Sequence, residues 1–596
     1  MPVYSAPTRD MKFLIHEVLG LDSVTQFDAF KDVDMDLADA ILEEAAKFSE
    51  NVLAPLNVVG DHEGCTRHED GSVTTPTGFK EAYKQMVENG WTGLSQPVEY
   101  GGQGMPGMLS IAAGEMQSSA NMAFAMYPGL TGGAIKAIMV GGSDEQKQTY
   151  LPKMVSGEWT GTMNLTEPHC GTDLGMLKTK AVPQGDGTYK ISGQKIFISA
   201  GEHDMADNII HLVLARIEGA PEGTKGISLF IVPKHTLDAD GNPGERNAVS
   251  CGSIEEKMGI HGNSTCVMNY DEAEGYLIGE ENKGLRVMFV MMNEARIGVG
   301  MQGLGQSEVA YQNAAAYAKD RIQGRAVTGP VNDNKPADPI IVHPDVRRML
   351  METRAFNEGS RALLYWAAMH EDIERHTDDE VLKTKCDDYL GLLTPVIKGY
   401  LTDMSMKTTI DCQQVFGGHG YVEEWGMSQF VRDNRIALIY EGANGIQALD
   451  LVGRKLARHG GRALMTLNQE IDAFLEENGD HEKLPEFMDG LKGAKTKLTQ
   501  ATMWLMQNGM KDPNNAGAGS VDYMHMMGLA TLAYMWAKMA VVAQAKIDEG
   551  SNEDFYPNKL ITGRYFMLRM LPMLDSHLAK IMTGAEPVMA LEANAF

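Results

Sequence analysis

The first part of the chain alternates apolar and polar residues with the period of an α-helix. Between about residues 34 and 56, apolar side chains recur every three or four positions, at Leu37, Ala40, Ile41, Ala45 and Phe48. A second helical run covers residues 78–90, and a loop rich in glycine and proline follows it. Helical sequence then continues to about residue 158. We therefore predict an N-terminal helical domain over residues 1–160.

At about residue 161 the pattern changes to short runs that are typical of β-strands. Examples are YKISGQKIFIS from Tyr189, NIIHLVLARI from Asn208 and GISLFIV from Gly226. Gly, Asp and Pro separate these runs, as expected for turns. We predict a middle β domain, antiparallel in its strand pairing, over residues 161–282.

Helical periodicity returns at about residue 283 and continues to the C-terminal region. A loop rich in Pro and Asn begins at Thr328, and GMKDPNNAGAGS from Gly509 is predicted to be a flexible connector. We assign residues 283–458 to a helical bundle and residues 459–596 to an additional helical domain. The predicted fold class is mainly α with an inserted β domain. No stretch approaches 18 uninterrupted apolar residues, so no membrane-spanning helix is predicted.

Charge and cysteine content narrow the classes of function. The 596 residues carry a formal net charge of −28, which repels nucleic-acid phosphates and anionic lipid surfaces. None of the six cysteines forms a CxxC pair or stands at zinc-finger spacing, so we expect neither a metal site nor disulfides. The N-terminus does not resemble a secretory signal, and a cytoplasmic protein is expected.

Motifs of several common enzyme classes do not fit this sequence. GxGxxG begins at Gly102 and again at Gly298, but neither copy lies between a predicted strand and a helix, as a nicotinamide site requires. The sequence contains no GxxxxGK[ST], GxSxG or HExxH, so Walker ATPases, serine hydrolases and metalloproteases are not indicated.

Clustered hydroxyl groups mark the start of the β domain. Thr166, Thr172 and Ser199 lie in MNLTEPHCGTDLG and in ISGQKIFISAGEHDMAD, where they would suit the polar edge of a heterocycle. Turn capping would explain any one of them, but it explains the combination poorly.

Arginines mark the helix that follows the β domain. Arg296, Arg321 and Arg325 stand out in an acidic chain and would suit phosphate groups. A solvated helix face explains them equally well.

A single carboxylate, Glu441, follows the apolar run IALIY and precedes the small residues GAN. Apolar neighbours would desolvate this carboxylate and make it a stronger general base. A glutamate at the N-terminus of a helix, favoured by the helix dipole, is an equally compatible interpretation of this segment alone.

Together these segments resemble the acyl-CoA dehydrogenase family, in the family's order, over about residues 35–458. The motifs that carry the resemblance are GWTGLSQPVEYGGQG, SDEQKQTYLPKMVSGEW, LTEPHCGTD, KMGIHGNST and YEGANGIQ. The resemblance implies an N-terminal helical domain, a β-barrel-like middle domain and a C-terminal helical bundle. It also implies FAD as cofactor. The region after about residue 460 is similar to the C-terminal helical extension of the longer, typically dimeric members.

The resemblance implies a role for each residue at a matching position. Glu441 would be the base that removes a proton from the carbon next to the thioester. The residues implied at FAD are Leu165, Thr166, Phe197, Ser199, Arg321, Gln414, Gly417 and Gly418. The last four of these would hold the adenine and pyrophosphate, commonly across a dimer interface. The residues implied at the acyl-CoA are Thr172, Arg296, Tyr440 and Gly442.

Some positions depart from the usual family pattern. Ala443 stands where many members have Thr, Phe197 where Trp is usual, and Ser199 where Thr is usual. Some members carry the base on the earlier helix, directly before its arginine. Here Ala295 occupies that position, and Glu294 is one residue away, about 100° round a helix. This favours Glu441 as the base.

The implied reaction is α,β-dehydrogenation of an acyl-CoA thioester to a trans-2-enoyl-CoA, with an electron-transfer flavoprotein as electron acceptor. Overall likeness among the longer members points to 3-methylmercaptopropionyl-CoA as substrate and methylthioacryloyl-CoA as product. Three rival functions stay open: a medium- or long-chain fatty acyl-CoA dehydrogenase of β-oxidation, an acyl-CoA oxidase, and a catalytically silent relative that binds DNA. The net charge of −28 disfavours the last.

Overall fold

The computed structural model describes residues 2–596, which group into two compact units. One unit contains the chain up to Ala46, Pro106–Glu115 and Val299–Phe596. The other contains Lys47–Met105 and Met116–Gly298. These two spatial units do not correspond one to one to the four domains proposed from the sequence. The division into four domains stays a prediction.

The N-terminal part is helical, as the apolar periodicity predicts. Its helices are α1 (Thr8–Lys12), α2 (Asp22–Thr25), α3 (Met35–Phe48), α4 (Ala54–Glu63), α5 (Phe79–Glu88), α6 (Gly107–Ala120), α7 (Met122–Gly141) and α8 (Asp144–Ser156). A π-helical turn, Ser49–Leu53, joins α3 to α4, so the helical run continues beyond the predicted end. Pro55, which has no N–H to donate, lies just after this π-helical turn, where the regular α-helical hydrogen bonding is already interrupted.

The strands, numbered here in chain order, lie in the β domain except for β1 and β2, which form a separate two-stranded sheet in the N-terminal part. They are β1 (Thr66–Arg67), β2 (Val73–Thr74), β3 (Trp159–Asn164), β4 (Lys180–Pro183), β5 (Thr188–Ser199), β6 (Asn208–Ile217), β7 (Ser228–Pro233), β8 (His235–Leu237), β9 (Pro243–Arg246), β10 (Val249–Ile254) and β11 (Thr265–Ile278). The hydrogen-bonded order β11-β5-β4-β6-β7 closes on itself because β7 also pairs with β11. The closed ring makes a small barrel without free edges at these strands.

Strand pairing in the barrel corrects the prediction of an antiparallel domain. β6 pairs in parallel with both β3 and β4, whereas the other barrel pairs are antiparallel. Nearly all of β6 is buried, and its alternate residues face two apolar clusters, with Val213 in one and Leu212 in the other. The near-continuous apolar sequence of β6 is what burial on both faces requires. Such a pattern identifies a strand but not the direction of its neighbours.

The C-terminal half is helical. Its helices are α9 (Gly284–Asp320), α10 (Pro344–His376), α11 (Glu380–Val415), α12 (Met427–Asn434), α13 (Asn444–Asp450), α14 (Arg462–Asn478), α15 (Pro485–Gly509), α16 (Pro513–Asp548), α17 (Phe555–Tyr565), α18 (Met573–Thr583) and α19 (Glu586–Met589). The predicted fold class, mainly α with an inserted β domain, is confirmed.

The prediction of a flexible connector after Gly509 was wrong. α16 begins at Pro513 and contains the remainder of the supposed connector. The Asp512 side chain accepts a hydrogen bond from the Asn514 backbone N–H, and Pro513 occupies the first turn. This N-cap starts a helix in spite of the glycines that follow.

Two helices, α7 and α16, are long and apolar enough to cross a membrane by length and composition alone. Most of the apolar window of each is buried inside the protein, 61% for α7 and 83% for α16. Such burial is typical of core helices in globular proteins.

Candidate active site

Glu441 lies in a short loop between a 3-10 turn, Arg435–Leu438, and helix α13. Its backbone has φ 57°, and Gly442 has φ 87°, so two successive residues adopt the left-handed conformation. This conformation is unfavourable for a glutamate and persists only where the surroundings impose it. The Gln447 side-chain amide imposes it here by donating to the carbonyl oxygens of Glu441 and Gly442, each at 3.0 Å.

The preceding residue, Tyr440, is also held in place. Its hydroxyl donates a short hydrogen bond to Gln302 Oε1 on helix α9. Burial, and to a lesser degree the charge of the Glu441 carboxylate, raises the pKa of Tyr440. The Tyr440 hydroxyl therefore stays neutral at physiological pH.

On the other side of the loop, Asn444 is buried and fully engaged. Its Oδ1 accepts from Lys398 Nζ at 2.7 Å, and its Nδ2 donates to Thr402 Oγ1 at 2.9 Å and to Asp403 Oδ1 at 2.7 Å. All three partners belong to helix α11. The residues that follow Glu441 are therefore fixed to a long core helix. Gln447 and Asn444 were not predicted from the sequence, because buried amides have no sequence pattern of their own.

In the barrel, Leu165 and Thr166 lie on a segment fixed by a buried ion pair. Lys195 Nζ donates to the Leu165 carbonyl at 3.0 Å and to Glu167 Oε1 at 2.9 Å. The Thr166 carbonyl accepts from the Ile196 backbone N–H at 2.9 Å. Sequence analysis missed Glu167 and Lys195, although a lysine at an inward-facing position of β5 was a visible break in the apolar alternation.

The Lys195 ammonium favours the charged form of the Glu167 carboxylate, although burial lowers the pKa of Lys195 itself. Burial alone would raise the pKa of Glu167, but the Lys195 ammonium and hydrogen bonds from Thr179 and from the Lys178 backbone N–H lower it to about 2. The carboxylate is thus ionised at neutral pH and holds the segment that carries Leu165 and Thr166.

Further along β5, Phe197 is an exposed aromatic side chain in a strained backbone. Its φ is 59°, and 59% of its surface is accessible. Ser199, two residues on, is half-buried and pairs with Thr265 of β11. Strain and exposure together at a large apolar residue are typical of a binding surface rather than of a folding core.

Four predicted FAD residues lie near the ends of two helices. Arg321 follows α9, and Gln414 lies in the last turn of α11, directly before the exposed Gly417 and Gly418. The Tyr317 ring of α9 stacks on Phe416 at 4.1 Å between ring centroids. Because this contact joins the two helix ends, the structure brings the four residues to one exposed region.

The remaining predicted residues have different surroundings. Arg296 is buried, and its Nη1 lies 3.4 Å from the Asn293 Oδ1 that accepts from it. Thr172 is exposed in the loop after β3. Glu294, the other position considered for a base, forms an ion pair with Lys136.

Arg325 is engaged within the loop that follows α9. Its guanidinium donates to Asp338 Oδ1 at 3.2 Å and to the Asn332 carbonyl at 2.9 Å. Backbone N–H groups, that of Ala326 first, lower the pKa of Asp338 to about 2. The Arg325 side chain thus closes its own loop, which neither of the two interpretations from the sequence anticipated.

Comparison with known proteins decides the family. Four family profiles match successive parts of the chain: the acyl-CoA dehydrogenase N-terminal domain (residues 36–158), middle domain (162–273) and C-terminal domain (282–456), and an acetyl-CoA dehydrogenase C-terminal-like domain (467–592). The 3-methylmercaptopropionyl-CoA dehydrogenase of Ruegeria pomeroyi is 43% identical over 571 residues, 95% of this chain and 96% of that protein. The chain belongs to the acyl-CoA dehydrogenase family.

Other acyl-CoA dehydrogenases extend the comparison. A broad-specificity linear acyl-CoA dehydrogenase of Mycobacterium tuberculosis is 35% identical, with all of both chains covered (100% of each). The acyl-CoA dehydrogenase of Bacillus anthracis, solved with FAD, has a TM-score of 0.75 at 23% identity, covering 96% of this chain and 92% of that one. The last similarity shows the fold alone. The predicted family, enzyme class and FAD cofactor are confirmed.

The residues present fit FAD. Phe197 offers an exposed aromatic face to a planar ring, and Arg321 offers a cation to a pyrophosphate. A Cβ added at Gly417 or Gly418 would meet nothing within 4 Å, so the backbone there is open to a ligand. Among residues 2–596, no cluster of three or more His, Cys, Asp or Glu side chains could hold a metal ion.

Proposed function

We propose that this acyl-CoA dehydrogenase oxidises 3-methylmercaptopropionyl-CoA to methylthioacryloyl-CoA. The observation that carries the proposal is the 43% identity, over 95% of the chain, to the Ruegeria pomeroyi enzyme named for that substrate. The similarity includes the C-terminal extension, whereas shorter relatives such as the acyl-CoA dehydrogenase of Bacillus subtilis cover only 61% of this chain.

In the proposed mechanism, Glu441 is the general base. One of its carboxylate oxygens takes the proton from the α-carbon as the double bond to the β-carbon forms. FAD, when bound, supplies the acceptor for the hydrogen and the electron pair that leave the β-carbon. The backbone N–H of Glu441 donates to the thioester oxygen and stabilises the charge that develops there. The left-handed conformation of Glu441 sets the direction of both its N–H and its carboxylate.

Binding roles are part of the same proposal. FAD is held by Leu165, Thr166, Phe197, Ser199, Arg321, Gln414, Gly417 and Gly418. The acyl-CoA is held by Thr172, Arg296, Tyr440 and Gly442. The exposure of Arg321, Gln414, Gly417 and Gly418 supports a homodimer in which a second copy approaches this region. We further propose an electron-transfer flavoprotein as electron acceptor and a cytoplasmic location.

A substrate panel tests this proposal. The protein, loaded with FAD, is mixed anaerobically with 3-methylmercaptopropionyl-CoA, butyryl-CoA, octanoyl-CoA and palmitoyl-CoA, and bleaching of the flavin is followed. We expect the thioether substrate to reduce the flavin fastest when each acyl-CoA is present at the same low concentration. Faster reduction by butyryl-CoA, octanoyl-CoA or palmitoyl-CoA would favour a fatty acyl-CoA dehydrogenase and contradict the substrate assignment.

Two further measurements distinguish a dehydrogenase from an oxidase and from a DNA-binding relative. An oxidase would consume oxygen at the rate of substrate turnover, which an oxygen electrode detects. A DNA-binding relative would shift a DNA duplex on a gel at low salt, an outcome that the net charge of −28 disfavours.

A further inference from the structure

Helix α16, in the C-terminal extension, reaches the loop of the proposed base through a chain of hydrogen bonds. His525 on α16 lies with its Nε2 2.9 Å from Asp403 Oδ2 on α11. The other oxygen of the same carboxylate accepts from Asn444 Nδ2 at 2.7 Å. Asn444 is three residues from Glu441 and is the first residue of α13.

The arrangement fixes which atoms donate. An ionised aspartate only accepts hydrogen bonds, so His525 Nε2 carries the hydrogen that it shares with Asp403. Asp403 therefore has one oxygen committed to the extension and the other committed to the residue that begins α13. Losing the His525 donor would free the carboxylate to rotate away from Asn444.

Close packing keeps His525 in place. The ring of Tyr400 on α11 contacts the His525 ring edge to face, with centroids 5.3 Å apart. The neighbouring Met524 packs against Gly399, where a Cβ would clash with its sulfur. A Cβ at Gly399 would also lie 3.4 Å from Gln447 Cβ, so α16, α11 and α13 meet at one point. Such dense packing transmits a displacement instead of absorbing it.

We propose that His525 is a positioning residue for Glu441, acting through Asp403 and Asn444. This rests on the proposed role of Glu441 as the base. The C-terminal extension thereby contributes to the geometry of the reaction as well as to the stability of the bundle. The strained backbone at Glu441 needs outside support: Gln447 holds its carbonyl oxygen, and Asn444 fixes the start of α13, three residues on, to helix α11.

Substitutions at His525 test the proposal. His525→Phe keeps a ring but removes the donor, whereas His525→Gln keeps an N–H close to the position of Nε2. We expect His525→Phe to lower the rate of flavin reduction at saturating acyl-CoA by about tenfold or more, with KM, FAD content and Tm nearly unchanged. We expect His525→Gln to restore most of the rate.

Glu470→Gln is the matched control. It weakens another contact between the extension and α11, the 2.8 Å ion pair of Lys385 Nζ with Glu470 Oε2. The other partners of Glu470 are Tyr389 and Tyr534, so none of them lies within residues 440–447. A rate loss in Glu470→Gln equal to that in His525→Phe would overturn the proposal. In that case, weakening any contact between the extension and α11 would be enough to slow flavin reduction.

Hydrogen exchange gives a readout that does not depend on activity. We expect faster amide exchange in residues 440–447 of His525→Phe than in the wild type or in Glu470→Gln. Asp403→Leu removes both accepting oxygens, so it should show the same increase, and it serves if His525→Phe does not fold. Unchanged exchange in both variants would refute the positioning role. A wild type that no acyl-CoA reduces would instead refute the proposed function, and the exchange result would still decide this inference.

Discussion

Gln447 donates its side-chain amide to the backbone carbonyl oxygen of Glu441 at 3.0 Å, from the helix α13 that follows the loop. The same amide nitrogen lies 3.0 Å from the Gly442 carbonyl. These contacts hold two successive residues in the left-handed conformation, which would otherwise relax because a glutamate disfavours it. The direction of the proposed base is thus set by a buried amide on the helix that follows it.

Removing this amide should slow the reaction. Gln447→Ala loses hydrogen bonds worth about 1 kcal/mol each, so we expect kcat to fall by about tenfold while FAD stays bound. Leu449→Ala, at an exposed position of the same helix, is the control and should leave kcat unchanged. Steady-state turnover with an artificial electron acceptor measures both. Equal rates in Gln447→Ala and the wild type would argue against this role.

The buried pair of Glu167 and Lys195 should make the barrel sensitive to acid. The pKa of Glu167 lies at about 2 in the folded protein and at 4.5 in the unfolded chain. Because the folded value is lower, the carboxylate stabilises the fold above pH 4.5, and the contribution is lost as the pH falls towards 2. The free energy of unfolding of the wild type should therefore exceed that of Glu167→Gln by a constant amount above pH 4.5 and approach it below. Denaturant unfolding of both proteins at a series of pH values measures this difference; a gap independent of pH would contradict it.

Phe197 should contribute to FAD affinity through its exposed ring. Replacing the ring in Phe197→Ala removes an aromatic contact of about 1 kcal/mol, so we expect the Kd of FAD to rise by about fivefold. Phe197→Trp, which carries the residue usual in the family, should bind FAD as the wild type does. Met176→Ala is a control, since Met176 is another exposed apolar side chain. Titration of the apoprotein with FAD would measure all four proteins, and an unchanged Kd in Phe197→Ala would exclude a contact with the flavin.

A buried guanidinium, Arg361, should be among the residues on which stability depends most. It donates to Glu115, Asp10 and Glu308 at 2.6, 2.6 and 3.1 Å. Arg361→Met would remove the cation that these three carboxylates share, although Asp10 keeps its ion pair with Lys559, and we expect a loss of about 3–5 kcal/mol in the free energy of unfolding. Arg375→Met, which removes an exposed pair with Glu371, should change it by less than about 1 kcal/mol. Urea unfolding of both variants would show the contrast, and similar losses would contradict it.

Much of the fold follows from patterns that the sequence displays. The apolar period of α3 and the alternation in β5 predict a helical part followed by a β part, because each element buries one face. The parallel pairing of β6 was not predictable, since both faces of β6 are apolar and register depends on distant strands. The start of α16 at Pro513 was not predicted, because the glycines of this segment favour a loop whereas the Asp512 cap favours a helix.

The proposed site was predictable only in part. Glu441 and Phe197 stand in motifs that resemble a known family, so their positions could be named before the fold was known. The side chains that orient Glu441, such as Gln447 and Asn444, act through hydrogen bonds made only when the loop, α11 and α13 come together. Contacts between helices distant in sequence leave no local signal, which is why His525 could not be connected to Glu441 from the sequence.

The most direct test of the account is the rate of flavin reduction in Glu441→Gln. The amide keeps the size of the side chain but cannot accept the α-proton as a carboxylate does. We predict that this variant retains bound FAD and binds acyl-CoA normally, and that anaerobic stopped-flow mixing with 3-methylmercaptopropionyl-CoA shows flavin reduction slowed by at least about a hundredfold. Reduction at a near-normal rate, with FAD and acyl-CoA bound, would contradict the assignment of Glu441 as the base.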